Sequence, residues 1–382
     1  MEVAEDISRD ASSSTDQAPA RRKLQLAIVA PSLRYVGGQS VQADLLLRHW
    51  QSDPDVRVSF IAVDPPFPAG LRWASHVPLL RTIVRTPFYL TALWRDLREC
   101  DVVHIFSASY CSFLIAPLPA WLVATSRGKK TLINYHSGEA RDHLNGSSIA
   151  RAVLKRTNRV VSPSGYLVEV FRDFGIEAES VSNIIDCSQF TYRERSPLRP
   201  HLVCTRGFHP YYEIDVVVKT YAEIKKEYPG AQLDLIGGGS LEGEIRRLVS
   251  ELKLTGVNFC GIASRDEIGR YYDRADIFIN GSRLDNMPVS ILEAFASGTP
   301  VITTEPEGMR YLVDDGRTGL LSKVGDSGAL AANVLRVLRD PDLAQRLSAN
   351  AFAQIPLYSW EQVREQWLNI YRELVPQPAA RG

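Results

Sequence analysis

"LDNMPVSILEAFASGTPVITT", residues 284–304, reads as a loop, a helix, a glycine turn and a short buried strand. Pro288 belongs at the first turn of the helix, where its missing N–H costs nothing. Gly298 ends the helix as a left-handed cap, and the apolar run "PVITT" follows as a strand. The N–H groups of Val289, Ser290 and Ile291 are then expected to be unpaired within the helix. Together with the positive end of the helix dipole they make an anion site.

Asp285 and Glu293 stand on either side of that site, with seven residues between them. Asp285 lies just before the helix, close to whatever is attached to the anion. Glu293 lies about a turn and a half inside, where its carboxylate can accept two hydrogen bonds from neighbouring hydroxyls such as a ribose diol. One anion with a sugar on each side is the geometry of a nucleotide sugar. Taken alone, the spacing fits an amphipathic helix with solvated carboxylates equally well. Against that, Glu293 falls among Ile291, Leu292, Ala294 and Phe295, company in which a carboxylate is rarely left without a partner.

Outward from this stretch, strands and helices alternate in both directions. N-terminally, "LQLAIVA", "VRVSFIAV", "DVVHIFS", "KTLINYHS", "RVVSPS" and "AESVSNII" read as strands, with helical stretches at "VQADLLLRHW" and around "FLIAPLPAWLVATS". The pattern pauses at the polar, proline-bearing segment 186–200 and restarts with "HLVCTRG". In the second half "AQLDLIG", "VNFCG", "DIFING", "PVITT" and "TGLLS" are strands between amphipathic helices. The last helix carries Trp360, Val363, Trp367, Ile370 and Leu374 on one face. The expected fold is α/β: two doubly wound, Rossmann-like parallel-sheet domains facing a cleft, with ligands beyond the carboxyl ends of the strands. The expected boundaries are a polar, disordered tail at 1–22, a first domain at 23–185, a linker at 186–200, a second domain at 201–356 and a C-terminal helix at 357–376.

Composition narrows the function classes. The 382 residues are 45% hydrophobic and 23% charged, with a formal net charge of zero, so no global basic field argues for nucleic acid. Residues 21–200 carry 23 Lys and Arg against 15 Asp and Glu, and residues 201–382 carry 20 against 24. A mildly basic first half suits a membrane surface or an anionic ligand, or is ordinary scatter of solvated charge. Five widely spaced cysteines without a C-x-x-C argue against a disulfide framework or a zinc site and fit a reducing cytosol. The longest apolar stretch is too short to span a bilayer, and residues 1–22 lack the apolar core of a signal peptide. The expected location is cytoplasmic.

The opening stretch resembles the acid–x(7)–acid signature of retaining glycosyltransferases with the GT-B fold, family four (glycosyl transferases group 1). "NMPVSILEAFASGTPVI" fits it closely, with Asp285 where that family usually has Glu. The resemblance covers roughly residues 24–375. It implies an enzyme that transfers a sugar, expected to be a hexose, from a nucleotide-diphosphate donor with retained configuration. The first domain would bind the acceptor and the second the donor, with the C-terminal helix crossing back. It also implies no metal and no cofactor beyond the nucleotide sugar. Asp285 and His136, in "LINYHSGEARDH", would orient the donor sugar and Glu293 would hold the ribose. Met287, Pro288, Val289 and Ser290 would meet the donor at the helix start.

Other positions join this reading. Gly37 and Gly38 follow the first strand, and paired glycines let a backbone approach a phosphate; a plain glycine turn fits them too. In the family such a loop meets the diphosphate or the acceptor. Arg206, in "LVCTRGFHPYYEID", matches the family's diphosphate arginine, whose fork can bridge two phosphate oxygens. The lysine usual a few residues on is absent; His209, Tyr211 or Tyr212 could contribute instead. Ile262 lies where the family's backbone reads the base. His104 matches a second family histidine or is structural. "LIGGGSLEGEIRRL" lacks the G-x-G-x-x-G spacing and reads as a tight strand-to-helix turn. Residues 79–99 mix arginines with aromatics, as does the basic run 151–159 with apolar residues; each could contact an anionic membrane or be an ordinary helix.

The expected partners are a nucleotide sugar and a glycan or lipid-linked acceptor in cell-surface polysaccharide or glycolipid assembly, with a peripheral contact at the inner membrane face and no nucleic acid. The absent lysine and the shorter Asp285 leave open a non-catalytic nucleotide-sugar-binding protein of the same fold. A phosphorylase of the best-known type needs a pyridoxal lysine, for which no candidate stands out, and a nicotinamide enzyme lacks its fingerprint.

Overall fold

The computed structural model describes residues 22–375 apart from 35, 36, 69, 72 and 74–76. The tail expected at 1–22 therefore lies, but for Arg22, outside the described residues.

The first sheet holds β1 (Leu24–Ala30), β2 (Val56–Ala62), β3 (Val102–Ser107), β4 (Lys130–Tyr135), β5 (Arg159–Ser162) and β6 (Glu179–Ser180), all parallel, in the order β2-β1-β3-β4-β5-β6. The second holds β7 (His201–Cys204), β8 (Gln232–Ile236), β9 (Val257–Gly261), β10 (Ile277–Asn280), β11 (Val301–Thr304) and β12 (Leu320–Ser322), again parallel, in the order β12-β11-β10-β7-β8-β9. Strands such as β3 and β7 are buried along their whole length. That explains their unbroken apolar runs, since helices cover both faces of a parallel sheet. The strand order reverses between β1 and β3 and between β7 and β10, and crevices open at such points.

The helices of the first half are α1 (Gly38–Gln51), α2 (Pro78–Asp96), α3 (Tyr110–Ile115), α4 (Pro117–Ser126), α5 (Ala140–Gly146), α6 (Ser148–Arg156) and α7 (Gly165–Asp173). Those of the second are α8 (Ile214–Glu227), α9 (Glu242–Glu251), α10 (Arg265–Arg274), α11 (Val289–Ala296), α12 (Ser327–Arg339), α13 (Pro341–Phe352) and α14 (Trp360–Leu374). The single helix expected around 113–126 is two. Pro117 cannot continue α3 and starts α4 instead. Helix α10 begins with a capping box in which Ser264 and Glu267 satisfy each other.

One other expectation changes. The strand expected at "AESVSNII" shrinks to Glu179–Ser180. Beyond Val181 the backbone leaves the sheet, because Ile184 N–H donates to Gln42 Oε1 (2.8 Å) and its carbonyl accepts from Gln42 Nε2 (2.8 Å). Segment 186–200, expected as the linker, is anchored by Arg195. Arg195, 5% exposed, donates from Nε to Ala275 O (2.9 Å), from Nη2 to Tyr272 O (2.8 Å) and from Nη1 to Ser297 O (2.6 Å). It thereby satisfies carbonyls at the ends of α10 and α11 and pins the segment to the second domain. Helix α2, which packs against α4, leaves Ile83, Leu90 and Trp94 exposed.

Helix α14 packs on the first sheet. Val363, Trp367, Leu368, Ile370 and Tyr371 share one core cluster with Leu26, Ile28 and Trp50. Each such buried side chain contributes roughly 1.5–3 kcal/mol before chain entropy is counted. Arg364 anchors the helix with Nε to Asp53 Oδ2 (2.6 Å) and Nη2 to Asp55 Oδ2 (2.7 Å).

Candidate active site

Between the two sheets lies a cleft of about 820 Å³. Carboxyl ends of strands from both domains open into it. Gly37 and Gly38 follow β1, and His136 is the residue after β4. Arg206 and His209 follow β7, Ile262 follows β9, and Asp285 follows β10. Met287, Pro288, Val289, Ser290 and Glu293 come from the loop and helix α11. These positions, which span some 250 residues of chain, thus line one cleft.

Helix α11 differs from expectation at its start. Pro288 has φ −69° and ψ 121° and precedes the helix rather than occupying its first turn. Its carbonyl accepts the N–H of Ile291 (3.1 Å), so that donor is taken. The N–H groups of Val289 and Ser290 find no acceptor among the described residues and remain for a ligand. Gly298 (φ +67°) ends the helix, where a Cβ would press on the Tyr192 ring at 2.7 Å.

Arg206 and Asp285, given separate tasks from the sequence, form an ion pair with side chains 11% and 10% exposed. Arg206 also reaches Ser290 Oγ from Nη1 (3.3 Å) and lies over the Tyr212 ring, 4.0 Å from its centroid. Burial, the largest influence, opposes its charge, but Asp285 together with Tyr212 and Cys204 holds the guanidinium above its ordinary value. The other two arginines lining the cleft are also paired, Arg48 with Asp44 (2.7 Å) and Arg265 with Asp186. An anion entering the cleft competes with carboxylates for each of them.

The "PYYEID" positions hold this arrangement in place. Pro210–Tyr212 form a 3-10 turn whose Tyr211 carbonyl accepts the N–H groups of Arg283 (2.9 Å) and Leu284 (3.3 Å). Tyr211 thus steadies the loop carrying Asp285, while Tyr212 underlies Arg206. The glycine run after β8 packs on the same loop. A Cβ at Gly237 would collide with the Arg206 carbonyl, and one at Gly239 with that of Phe208. Gly37 and Gly38 are different: a Cβ on either meets nothing within 4 Å, and Gly37 is extended (φ −164°), so both simply face open cleft.

Burial pushes the Glu293 carboxyl up to about 7. Its Oε2 lies 2.8 Å from the Tyr272 hydroxyl, which also contacts Ser290 O (2.9 Å) and Thr205 Oγ1 (2.6 Å). Tyr272 was not singled out from the sequence. It sits in "RYYDRA", twenty-one positions before Glu293, and nothing local marks it.

His136 stacks on Phe106 (5.1 Å between centroids), and its buried Nε2 has no partner among the described residues. Burial holds its imidazole down to about 3, so it is neutral. His104 is a core residue. Fully buried, it bonds Tyr371 Oη through Nδ1 (2.8 Å) and lines no part of the cleft. Contacts joining the domains beside the site include Asn183 Nδ2 to Met287 O (2.9 Å), Ser164 to Asn286, Tyr166 to Glu307 and Arg265 to Asp44 (3.6 Å).

Two family models match the chain. The model described as Glycosyltransferase Family 4 covers residues 36–189, and that described as Glycosyl transferases group 1 covers residues 194–354. Among curated proteins, the lipopolysaccharide core biosynthesis glycosyltransferase LpsE of Rhizobium meliloti is 24% identical over 316 residues, 79% of this chain and 87% of that protein. The D-inositol 3-phosphate glycosyltransferase of Nocardioides sp. is 28% identical over 231 residues, 54% of this chain and 50% of its own length. The chain therefore aligns with only about half of that relative. Among solved structures, sucrose-phosphate synthase from Thermosynechococcus elongatus superposes with a TM-score of 0.74 at 20% identity, over 92% of this chain and 99% of that one. HepE from Anabaena, in complex with UDP-glucose, superposes with a TM-score of 0.72 at 14% identity, over 92% and 100%. At these identities the superpositions carry the fold, which is GT-B.

Proposed function

We infer the reaction from one premise: the chain belongs to the glycosyltransferases, its halves matching the family 4 and group 1 models. We propose that it moves a sugar from a nucleotide-diphosphate donor to a glycan or lipid-linked acceptor, with retention at the anomeric carbon. The observation that carries this reading is the convergence of Arg206, the free N–H groups of α11, Asp285 and Glu293 on one cleft between the domains. Val289 and Ser290 N–H, with Arg206, would stabilise charge developing on the leaving diphosphate, the term that usually dominates such catalysis. Glu293 would hold the ribose, and Asp285 and neutral His136 would orient the donor sugar. The reading calls for no metal and no cofactor beyond the nucleotide sugar. Retention rests on the resemblance of the Asp285–x(7)–Glu293 signature, with the leaving phosphate helping to deprotonate the acceptor.

The acceptor would enter from the first domain. HepE was solved with UDP-glucose, so UDP heads the nucleotides to try. A cytoplasmic location with peripheral membrane contact suits the exposed Ile83, Leu90, Trp94 and Leu122 beside Arg98, Arg127 and Lys129. Among the described residues no helix is long and apolar enough to cross a membrane.

A thermal-shift screen against UDP, GDP and ADP and their sugar conjugates tests the donor site, and proton NMR of the product tests retention. No shift with any nucleotide would remove the donor reading. Binding without turnover on any acceptor would favour a non-catalytic binding protein, a reading motivated by Asp285's hold on Arg206 and the absent lysine. Pelleting with anionic vesicles at low salt tests the membrane contact, and a protein left in the supernatant would dismiss it.

A further inference from the structure

Tyr272 is wholly buried near the end of α10. Its ring is fixed edge-on to Phe190 (5.7 Å) and stacked on Phe278 (6.0 Å). Its hydroxyl meets three oxygens within 2.9 Å: Ser290 O, Glu293 Oε2 and Thr205 Oγ1. A phenol has one proton to give. The Ser290 carbonyl can only accept, and so can an ionised Glu293. With Glu293 ionised, one of those two oxygen–oxygen contacts has no hydrogen in it. A proton on Glu293 removes the conflict: Glu293 donates to Tyr272, Tyr272 donates to Ser290 O, and Thr205 donates to Tyr272. Each short contact then holds one hydrogen.

We propose that Tyr272 is a positioning residue which holds Glu293 as a neutral acid in the empty cleft, and that the ribose hydroxyls of a bound nucleotide ionise it. This rests on the reading of Glu293 as the ribose-holding acid. Two hydroxyls donating to the carboxylate replace the lost proton, which passes to solvent through the cleft. The Tyr272 hydroxyl then turns its hydrogen toward Glu293.

The groups facing Glu293 are consistent with this. From the loop after β7 comes Arg206, which favours the ionised form but is tied to Asp285. From α10 comes Tyr272, whose phenol burial keeps protonated. Cys204 of β7 lies behind Tyr272, its thiol pushed up by burial to about 12. None of these leaves an unpaired cation beside the carboxyl, and burial places its midpoint at about 7.

The diphosphate's own charge works against ionising Glu293, so the informative comparison keeps the diphosphate and changes the ribose. Calorimetry in two buffers of different ionisation enthalpy counts the protons exchanged on binding UDP and 2′,3′-dideoxy-UDP, or the GDP or ADP pair if one of those binds instead. Near neutral pH the ribose form is expected to release more protons than the dideoxy form, and Glu293→Gln is expected to abolish the difference. Tyr272→Phe is expected to narrow the preference for ribose over dideoxyribose by about five- to twentyfold, the worth of one well-placed hydrogen bond. Equal proton counts for the two nucleotides, or a difference that survives Glu293→Gln, would overturn the ionisation step. An unchanged ribose preference in Tyr272→Phe would overturn the positioning role.

The ligand-free half is read separately by infrared difference spectroscopy across neutral pH. A carboxylic-acid carbonyl band is expected to fade as pH rises and to be absent in Glu293→Gln. Its absence from the unmodified protein would overturn the neutral-acid state even if nucleotides bind. If no nucleotide binds, the donor-site reading and the ionisation step fail together, while the band still decides the state of the empty cleft.

Discussion

Replacing Arg206 by Ala tests whether the pairing with Asp285 is structural as well as functional. The substitution leaves Asp285 with 10% of its side chain exposed and no counter-charge. Removing one partner of a buried pair costs about 3–5 kcal/mol. The cleft admits solvent to both side chains, so about 2–3 kcal/mol is expected here. For a domain the size of residues 201–356, each kcal/mol corresponds to roughly 3 °C in Tm. Arg206→Ala should therefore lower the melting temperature of the second domain by about 6–9 °C without any ligand. Adding Asp285→Asn removes the orphaned charge, and the double variant should recover to within about 1 kcal/mol of the parent. Both variants should lose stabilisation by nucleotide diphosphate, which separates the two roles of Arg206. Calorimetric melts of the parent, both single variants and the double variant measure all of this. A single Arg206→Ala variant as stable as the parent would refute the reasoning, as would a double variant no better than the single one.

Glu293→Gln should change how stability depends on pH. Burial raises the folded carboxyl from 4.5 to about 7, so its contribution is present below the unfolded value and lost as pH rises through about 7. Relative to the parent, the Gln variant should gain about 2–3 kcal/mol between about pH 5 and about pH 8.5 in urea melts; a constant difference would refute the assignment. His136→Gln should abolish transfer while leaving the melt close to the parent, and the parent's pH–rate profile should show no limb from His136, which is neutral above about 3. His104→Phe should instead cost about 1–2 kcal/mol of stability through the lost Tyr371 bond and leave the rate constant for transfer intact. Gly239→Ala, forced against the Phe208 carbonyl, should destabilise by about 2 kcal/mol or more and weaken nucleotide binding by shifting the loop that carries Arg206; unchanged binding would show that the loop does not depend on this contact.

The local patterns in the chain already contained most of the fold. Unbroken apolar strands between amphipathic helices mean a parallel sheet covered on both faces, and the pause at 186–200 separates two such runs. Turn chemistry was legible at Gly298, whereas the helix break at Pro117 and the Ser264–Glu267 box, though equally local, emerged only with the structure. The family signature at 284–304 brought Asp285, Glu293 and the start of α11 into view because those residues are neighbours in sequence.

What the sequence could not carry was decided by contacts between distant segments. Arg206 and Asp285 are seventy-nine positions apart, and only the parallel arrangement of β7 beside β10 makes them partners. Tyr272 reaches Glu293 because α10 and α11 pack side by side. The strand at 178–185 ends early because Gln42, from the other end of the domain, takes both backbone groups of Ile184. His104 lies inside β3 and His136 just after β4; one is sealed by α14 and the other lines the cleft. Sequence by itself determined periodicity, caps and the signature, since these depend on residues within a few turns of each other. Tertiary structure decided charge pairing, protonation and access, because those depend on burial and on neighbours that only the folded chain brings together.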